Sequence, residues 1–323
     1  MIHSFIFSEG RLISRDLEIE GLRLVRADKG LVVWVDLDNP TDGEVRQILE
    51  EVYQFHPLAI EDCVTPSSLP KVEDYEDYLF MVMHAVDFSR EGKFSSTELD
   101  LFLGKEFVVT YHRSPLVSVQ STIERCARTT GVVARGPDRI AHFLLDALVD
   151  NFTPALNELR LELEEIEVAV LAQSSDKRLV ANLLQVRGDY LQFREIVRSQ
   201  RDIAERLARG DSKLVRASLL PYYRDLRDNL ARLETAAANG NDRLMIAFDI
   251  FLNKAAFETN EGIKVLTALT ALTVPPLLVG TWYGMNFHRM PELDSPIAYP
   301  LITVATIATT AFMWWYLKRK RLL

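Results

Sequence analysis

VLTALTALTVPPLLVGTWYGMNF, Val265 to Phe287, runs 23 residues without a formal charge, and SPIAYPLITVATIATTAFMWWYL, Ser295 to Leu317, runs another 23. At about 1.5 Å per helical residue each covers roughly 34 Å, more than a hydrocarbon core of about 30 Å requires. Both are long enough to span a membrane. With the spans themselves placed at about 263–284 and 297–317, only twelve residues, Met285 to Pro296, separate them, so they close a hairpin with both flanks on one side. The C-terminal flank is KRKR, Lys318 to Arg321, and clustered Lys/Arg mark the cytoplasmic face. Both termini are therefore expected in the cytoplasm, with the protein multi-pass in a cell (inner) membrane.

The charge distribution divides the chain at the same place. Ahead of Gly262 there are 31 Lys/Arg against 44 Asp/Glu, a net of −13, whereas residues 262–323 carry six basic and two acidic groups, a net of +4. Glu9 and Arg11 interrupt the N-terminus before an apolar segment of signal length forms, so no cleavable signal is expected. Cys63 and Cys126 then face a reducing compartment, carry no disulfide and read as structural.

Residues 1–135 alternate strand and helix signals and form an α/β domain. LVVWVDLD (31–38), YLFMVMHAVDF (78–88), ELDLFLG (98–104) and EFVVTYH (106–112) are rich in β-branched and aromatic residues, the last two joined hairpin-fashion at Gly104-Lys105. Thr41 and Glu44 have the spacing of a capping box. From Asp138 onward long apolar-periodic helices take over, over 138–172, 176–209 and 214–239, with breaks expected at SSD, RGD and NGND. Residues 136–240 form a cytoplasmic helical region. From 241 a stalk helix, some 60 Å long if it reaches Tyr283, continues into the first span (about 263–284), an outer loop (285–296) and the second span (about 297–317).

The chain contains no GxGxxG, GxxxxGK[ST], HExxH or GxSxG sequence, and its six histidines are scattered without ligand spacing. Neither an enzyme nor an organic cofactor nor a nucleic-acid partner is expected. Thr267, Thr270 and Thr273 lie three apart in the first span, and Gly280 with Gly284 makes a small-xxx-small pair; both patterns suit close helix packing as well as a conduit. Two spans cannot enclose a pathway, so a conducting protein must be an oligomer. Asn260 and Asn286 bracket the first span. A lone Asn at a helix end commonly caps it, but repeated about a symmetry axis its amide becomes a ring of dipoles. Such a ring suits hydrated Mg²⁺, which gives up its water reluctantly.

YGMNF (283–287) followed by MPEL (290–293) resembles the signature loop of the CorA family of magnesium transporters. TNEGIKVLT (259–267), HPLAIEDC (56–63), PKVEDYEDYLF (70–80) and the basic terminus resemble family segments in the same order. The resemblance implies a homopentameric funnel, its pore lined by five copies of the long helix. Gly284, Met285 and Asn286 would form the selectivity filter, Asn260, Ile263 and Leu266 the inner constriction, and Asp249 would face the inner vestibule. Mg²⁺ would be both substrate and regulatory ligand, bound between subunits at Asp225 and Asp228 with Asp87 across the boundary. The partners implied are further copies of the chain, membrane lipid and divalent cations.

Two departures stand out. His288 and Arg289 replace an acidic position common after the signature, leaving Glu292 and Asp294 as loop acids, and an apolar residue near Leu277, beside Pro275-Pro276, replaces a common pore threonine. Two other readings stay open: a Zn²⁺, Co²⁺ or Ni²⁺ transporter of the ZntB type, proton-coupled or not, and a cytoplasmic binding or signalling module tethered by its hairpin.

Overall fold

The computed structural model describes residues 1–26, 28, 30–66, 69–87, 94–128, 135–172, 177–286 and 295–320. The chain divides into two compact units, Met1–Val168 with Lys177–Ile246 and Ala169–Asp176 with Ala247–Leu323.

In the first unit, seven strands form one sheet: β1 (Ile2–Ser8), β2 (Arg11–Arg15), β3 (Val32–Asp38), β4 (Lys71–Tyr75), β5 (Tyr78–Asp87), β6 (Ser95–Gly104) and β7 (Phe107–His112), in the order β2-β1-β3-β7-β6-β5-β4. The pair β3 and β7 is parallel and the other pairs are antiparallel. Between strands lie α1 (Ile19–Arg26), α2 (Asp42–Val45), which runs on into a π-helical turn Arg46–Val52, and α3 (Pro57–Val64); α4 (Val117–Arg128) and α5 (Pro137–Asp150) follow β7.

Side chains alternate across the pleat, and both faces are covered. Val33, Val35, Phe80, Phe102 and Val109 pack with Ile48, Leu49, Val52 and Ala59 on one face. Trp34, of opposite parity, is fully buried on the other, where α5 lies along β3, β5, β6 and β7. The Thr41 hydroxyl accepts from the Glu44 amide and the Glu44 carboxylate accepts from the Thr41 amide, completing the expected capping box.

The four strands read from the sequence are present. The three it does not reveal are β1 and the edge strands β2 and β4, RLISR and KVEDY, whose charged residues mask their alternation. The β6–β7 hairpin needs its glycine, since a methyl group at Gly104 would lie 2.3 Å from the Phe107 ring.

The helical part comprises α6 (Phe152–Ala172), α7 (Lys177–Arg209) and, after a 3₁₀ turn at Ala217–Leu219, α8 (Leu220–Tyr283). The expected 138–172 helix divides at Asn151 into α5 and α6. The expected break at NGND is absent, because α8 passes through Asn239–Asp242 without interruption. Gly240 serves packing instead of a turn: a methyl there would stand 2.3 Å from the buried ring of Tyr190 on α7. Asp138, 2% exposed at the start of α5, is held by the Arg216 guanidinium, whose Nε lies 2.8 Å from its carboxylate, and Tyr223 of α8 donates to its carbonyl. A buried carboxylate requires such a partner.

In the second unit, α8 continues from Ala247 to Tyr283, and α9 spans Ala298–Arg319. Both helices are long and apolar enough to cross a membrane. Pro275 and Pro276 sit inside α8. Lacking N–H groups, they leave the carbonyls four residues earlier, at Ala271 and Leu272, without their helical donors. Lys254 Nζ donates to the Leu171 carbonyl at 2.7 Å, satisfying an acceptor at the C-terminus of α6.

Candidate ion pathway on the long helix

Asp249, Asn260, Ile263 and Leu266 are all exposed on α8. Their bearings around the helix differ. Pro276, Val279, Gly280 and Tyr283 of α8 line a groove of about 420 Å³ together with Ala298, Tyr299, Ile302 and Thr306 of α9, which fixes the face that α8 turns to α9. At about 100° per residue, Asn260, Ile263 and Thr267 lie roughly half a turn from that face, and Leu266 roughly a quarter turn. An amide, a branched apolar side chain and a hydroxyl thus share the face of α8 turned away from α9, with Leu266 to its side.

The threonines on α8 are internally bonded. Thr267 donates to the Ile263 carbonyl at 2.8 Å, Thr270 to Leu266 at 2.9 Å and Thr281 to Leu277 at 2.8 Å. With the hydroxyl proton used inside the helix, each oxygen keeps lone pairs that can accept from the water of a hydrated cation.

At the end of α8 the helix tightens. The Gly284 amide donates to the Gly280 carbonyl at 3.0 Å and the Met285 amide to Trp282 at 3.4 Å, after which Asn286 is exposed and outside the helix. A methyl at Gly284 would sit 2.9 Å from the Gly280 carbonyl oxygen, so this turn accepts a side chain only by shifting. His288, Arg289, Glu292 and Asp294 lie outside the described residues.

The acidic positions assigned to regulation lie in the first unit. Asp225 and Asp228 are exposed, one turn apart on α8. Asp228 accepts from Arg227 at 2.8 Å, whereas Asp225 has no hydrogen bond or ion pair among the described residues. Asp87 closes β5 opposite Ser95. Among the described residues no three His, Cys, Asp or Glu side chains have the geometry to hold a metal ion.

Elsewhere the structure assembles buried titratable groups that the sequence does not announce. Trp34 Nε1 donates to the Thr110 hydroxyl (3.0 Å), which donates to Asp36 (2.5 Å), and Asp36 faces His112 Nε2 at 3.3 Å. The other ring nitrogen lies 2.8 Å from the Ser114 carbonyl and 3.6 Å from Asp38. Burial disfavours the His112 imidazolium, but Asp36, the Ser114 carbonyl and Asp38 together outweigh it and raise its pKa. The only hint is the lone acid within the apolar run VVWVDL. Burial, then Glu98, drives Asp100 well above the carboxylate range, and burial, then Asp100 and Glu98, pushes up the Cys63 thiol. Burial raises Cys126 to about 12. Both cysteines are free and buried, and neither is poised as a thiolate.

An α/β domain, a long helix that continues into the first of two helices apolar enough to cross a membrane, and an exposed Asn286 just past its end are the architecture of a membrane protein of the transporter class, on which the chain's similarity to known proteins bears directly. The chain matches the family described as CorA-like Mg²⁺ transporter protein over residues 29–319. It is 26% identical over 296 residues to the cobalt/magnesium transport protein CorA of Thermotoga maritima, covering 91% of this chain and 84% of that one. To YfjQ of Bacillus subtilis it is 29% identical over 266 residues, 82% of each chain. The complete CorA magnesium transporter of Methanocaldococcus jannaschii superposes with a TM-score of 0.82 at 20% identity, covering 98% of this chain and 97% of that one. The chain belongs to the CorA-like Mg²⁺ transporter family.

Proposed function

We propose that the chain is the protomer of a homopentameric divalent-cation channel, with Mg²⁺ as its principal substrate and both termini in the cytoplasm. The observation that carries this reading is the course of α8. One helix, continuous from Leu220 to Tyr283, ends at Gly284-Met285-Asn286 and keeps the Asn260, Ile263 and Thr267 face turned away from α9. Five such faces around an axis would line a conduit. Asn286 would hold the ion's hydration shell at the outer mouth, Gly284 and Met285 would shape that ring, and Asp249 would draw cations at the inner end. Ile263, flanked by Leu266, would dewet and close the pore. Entry needs no catalysis, since a doubly charged ion gains roughly 4.6 kcal/mol per 100 mV of inside-negative potential.

Closure by cytoplasmic Mg²⁺ is the regulation that the exposed Asp225 and Asp228 support. Asp225 and Asp228 of one protomer facing Asp87 of the next would repel, and a bound Mg²⁺ would turn repulsion into a bridge. The ion stabilises the closed state by its differential affinity for it.

The test is uptake of Mg²⁺, Co²⁺, Ni²⁺ and Zn²⁺ by the purified protein in vesicles, with the oligomer mass measured in detergent. A pentamer that favours Mg²⁺ and loses uptake in Asn286→Ala while remaining pentameric is the expected result. A monomer or dimer, or undiminished uptake by a folded Asn286→Ala protein, overturns the assignment.

A further inference from the structure

The C-terminal end of α9 carries two aromatic–cation pairs in register. Lys318 Nζ lies 5.1 Å from the centre of the Trp314 ring, and the Arg319 guanidinium carbon 5.4 Å from that of Trp315. Each pair spans four residues, so each cation reaches back over the turn before it, the direction in which helical side chains lean. If α9 crosses the membrane, that direction is toward the hydrocarbon. The charges are thus held at the rim of the bilayer and not extended into the cytoplasm.

Three observations give this arrangement a partner. Trp314 and Trp315 are each 50% exposed, and Tyr316 beside them 45%, the amphipathic rings that settle at headgroup depth. Lys318 and Arg319 have no carboxylate partner among the described residues, and Ser295–Leu317 before them contains no acid. Their N–H donors therefore remain available. The opposite end of the spans has Trp282, Tyr283 and Tyr299, so aromatic residues flank the spans at both ends; the loop there mixes Arg289 with Glu292 and Asp294 in sequence, whereas Lys318 to Arg321 is purely basic.

We propose that Trp314, Trp315, Lys318, Arg319 and Lys320 form a binding surface for the phosphate headgroups of anionic phospholipids in the cytoplasmic leaflet. The inference rests on the membrane orientation given above. A soluble anion would satisfy the cations but leave the indole faces in water, whereas a phospholipid satisfies both at once. The cation–π contacts remove part of the freedom the long side chains would otherwise lose on binding. Each cation near an anionic surface enriches it roughly fivefold, and screening by salt removes the effect.

The test uses the full chain carrying Trp282→Phe, so that Trp314 and Trp315 are its lipid-exposed tryptophans and fully buried Trp34 serves as the unquenched reference. The protein is placed in vesicles of equal phosphatidylglycerol and phosphatidylcholine, with bromine on the acyl chains of one lipid or the other. At low salt, brominated phosphatidylglycerol is expected to quench several-fold more than brominated phosphatidylcholine. The difference should vanish in molar salt and in Lys318→Gln/Arg319→Gln/Lys320→Gln. Equal quenching by the two lipids at low salt overturns the proposal while leaving the membrane span intact. Quenching by neither overturns the membrane placement itself, so the two failures are told apart.

Discussion

Gly240 of α8 lies against the ring of Tyr190 of α7 so closely that a methyl group there would stand 2.3 Å from the ring. Tyr190 is fully buried and cannot swing aside. Overpacking costs about 1–3 kcal/mol, more than the roughly 1 kcal/mol that a helix gains from replacing Gly by Ala. Gly240→Ala should therefore destabilise the protein by about 1 kcal/mol. Gly188 is the counterpart, inside α7 and exposed, with nothing within 4 Å of an added methyl. Gly188→Ala should stabilise by up to about 1 kcal/mol. Thermal unfolding of the two variants in detergent should shift in opposite directions.

The pair Asp36 and His112 makes stability depend on pH. The folded pKa of His112 is raised, so its contribution is complete below the unfolded value of about 6.5 and is lost as pH rises through the folded value. Comparing wild type with His112→Gln isolates this group from Asp100, which is also displaced upward. The stability difference should be largest at mildly acidic pH and shrink on the alkaline side. A difference constant from pH 6 to 9 would show that the pair is not titrating.

Ile263 and Leu266 separate by their bearing on α8. With Ile263 on the face opposite α9 and Leu266 to its side, Ile263→Gly should leak more strongly under high cytoplasmic Mg²⁺ than Leu266→Gly does. Vesicle flux at millimolar internal Mg²⁺ measures this. Equal tightness of both variants would place the constriction elsewhere.

Asp225, exposed and without a partner among the described residues, is suited to meet a second chain through an ion. Asp225→Lys supplies a tethered cation and should protect the cytoplasmic part from protease in the absence of Mg²⁺, whereas Asp225→Ala should raise the Mg²⁺ needed for protection. A wild-type cleavage pattern indifferent to millimolar Mg²⁺, and unmoved by either substitution, would remove intersubunit sensing from the mechanism.

Much of this was decided by the sequence alone. Two charge-free stretches of 23 residues need no tertiary context to be recognised, because span length is set by bilayer thickness. The Thr41–Glu44 capping box and the alternation in β3, β5, β6 and β7 are likewise local, each written in residues a few positions apart. The Gly-Met-Asn turn and its flanking segments were enough to indicate the family.

What only the tertiary structure decided depends on residues far apart in the chain. Asn239-Gly240-Asn241-Asp242 has turn chemistry, yet it is helical because Tyr190, fifty residues earlier, fills the space a side chain would occupy. The strands β2 and β4 have polar sequences, and pairing with β1 and β5 makes them strands. Asp36 and His112 are 76 residues apart, and parallel pairing of β3 with β7 brings them together. The bearing of Ile263 relative to Leu266 becomes meaningful only once α9 defines one face of α8. Local propensity is worth about 1 kcal/mol or less per residue, so where buried packing opposes it, packing wins, and that packing is set by the fold and not by sequence neighbours.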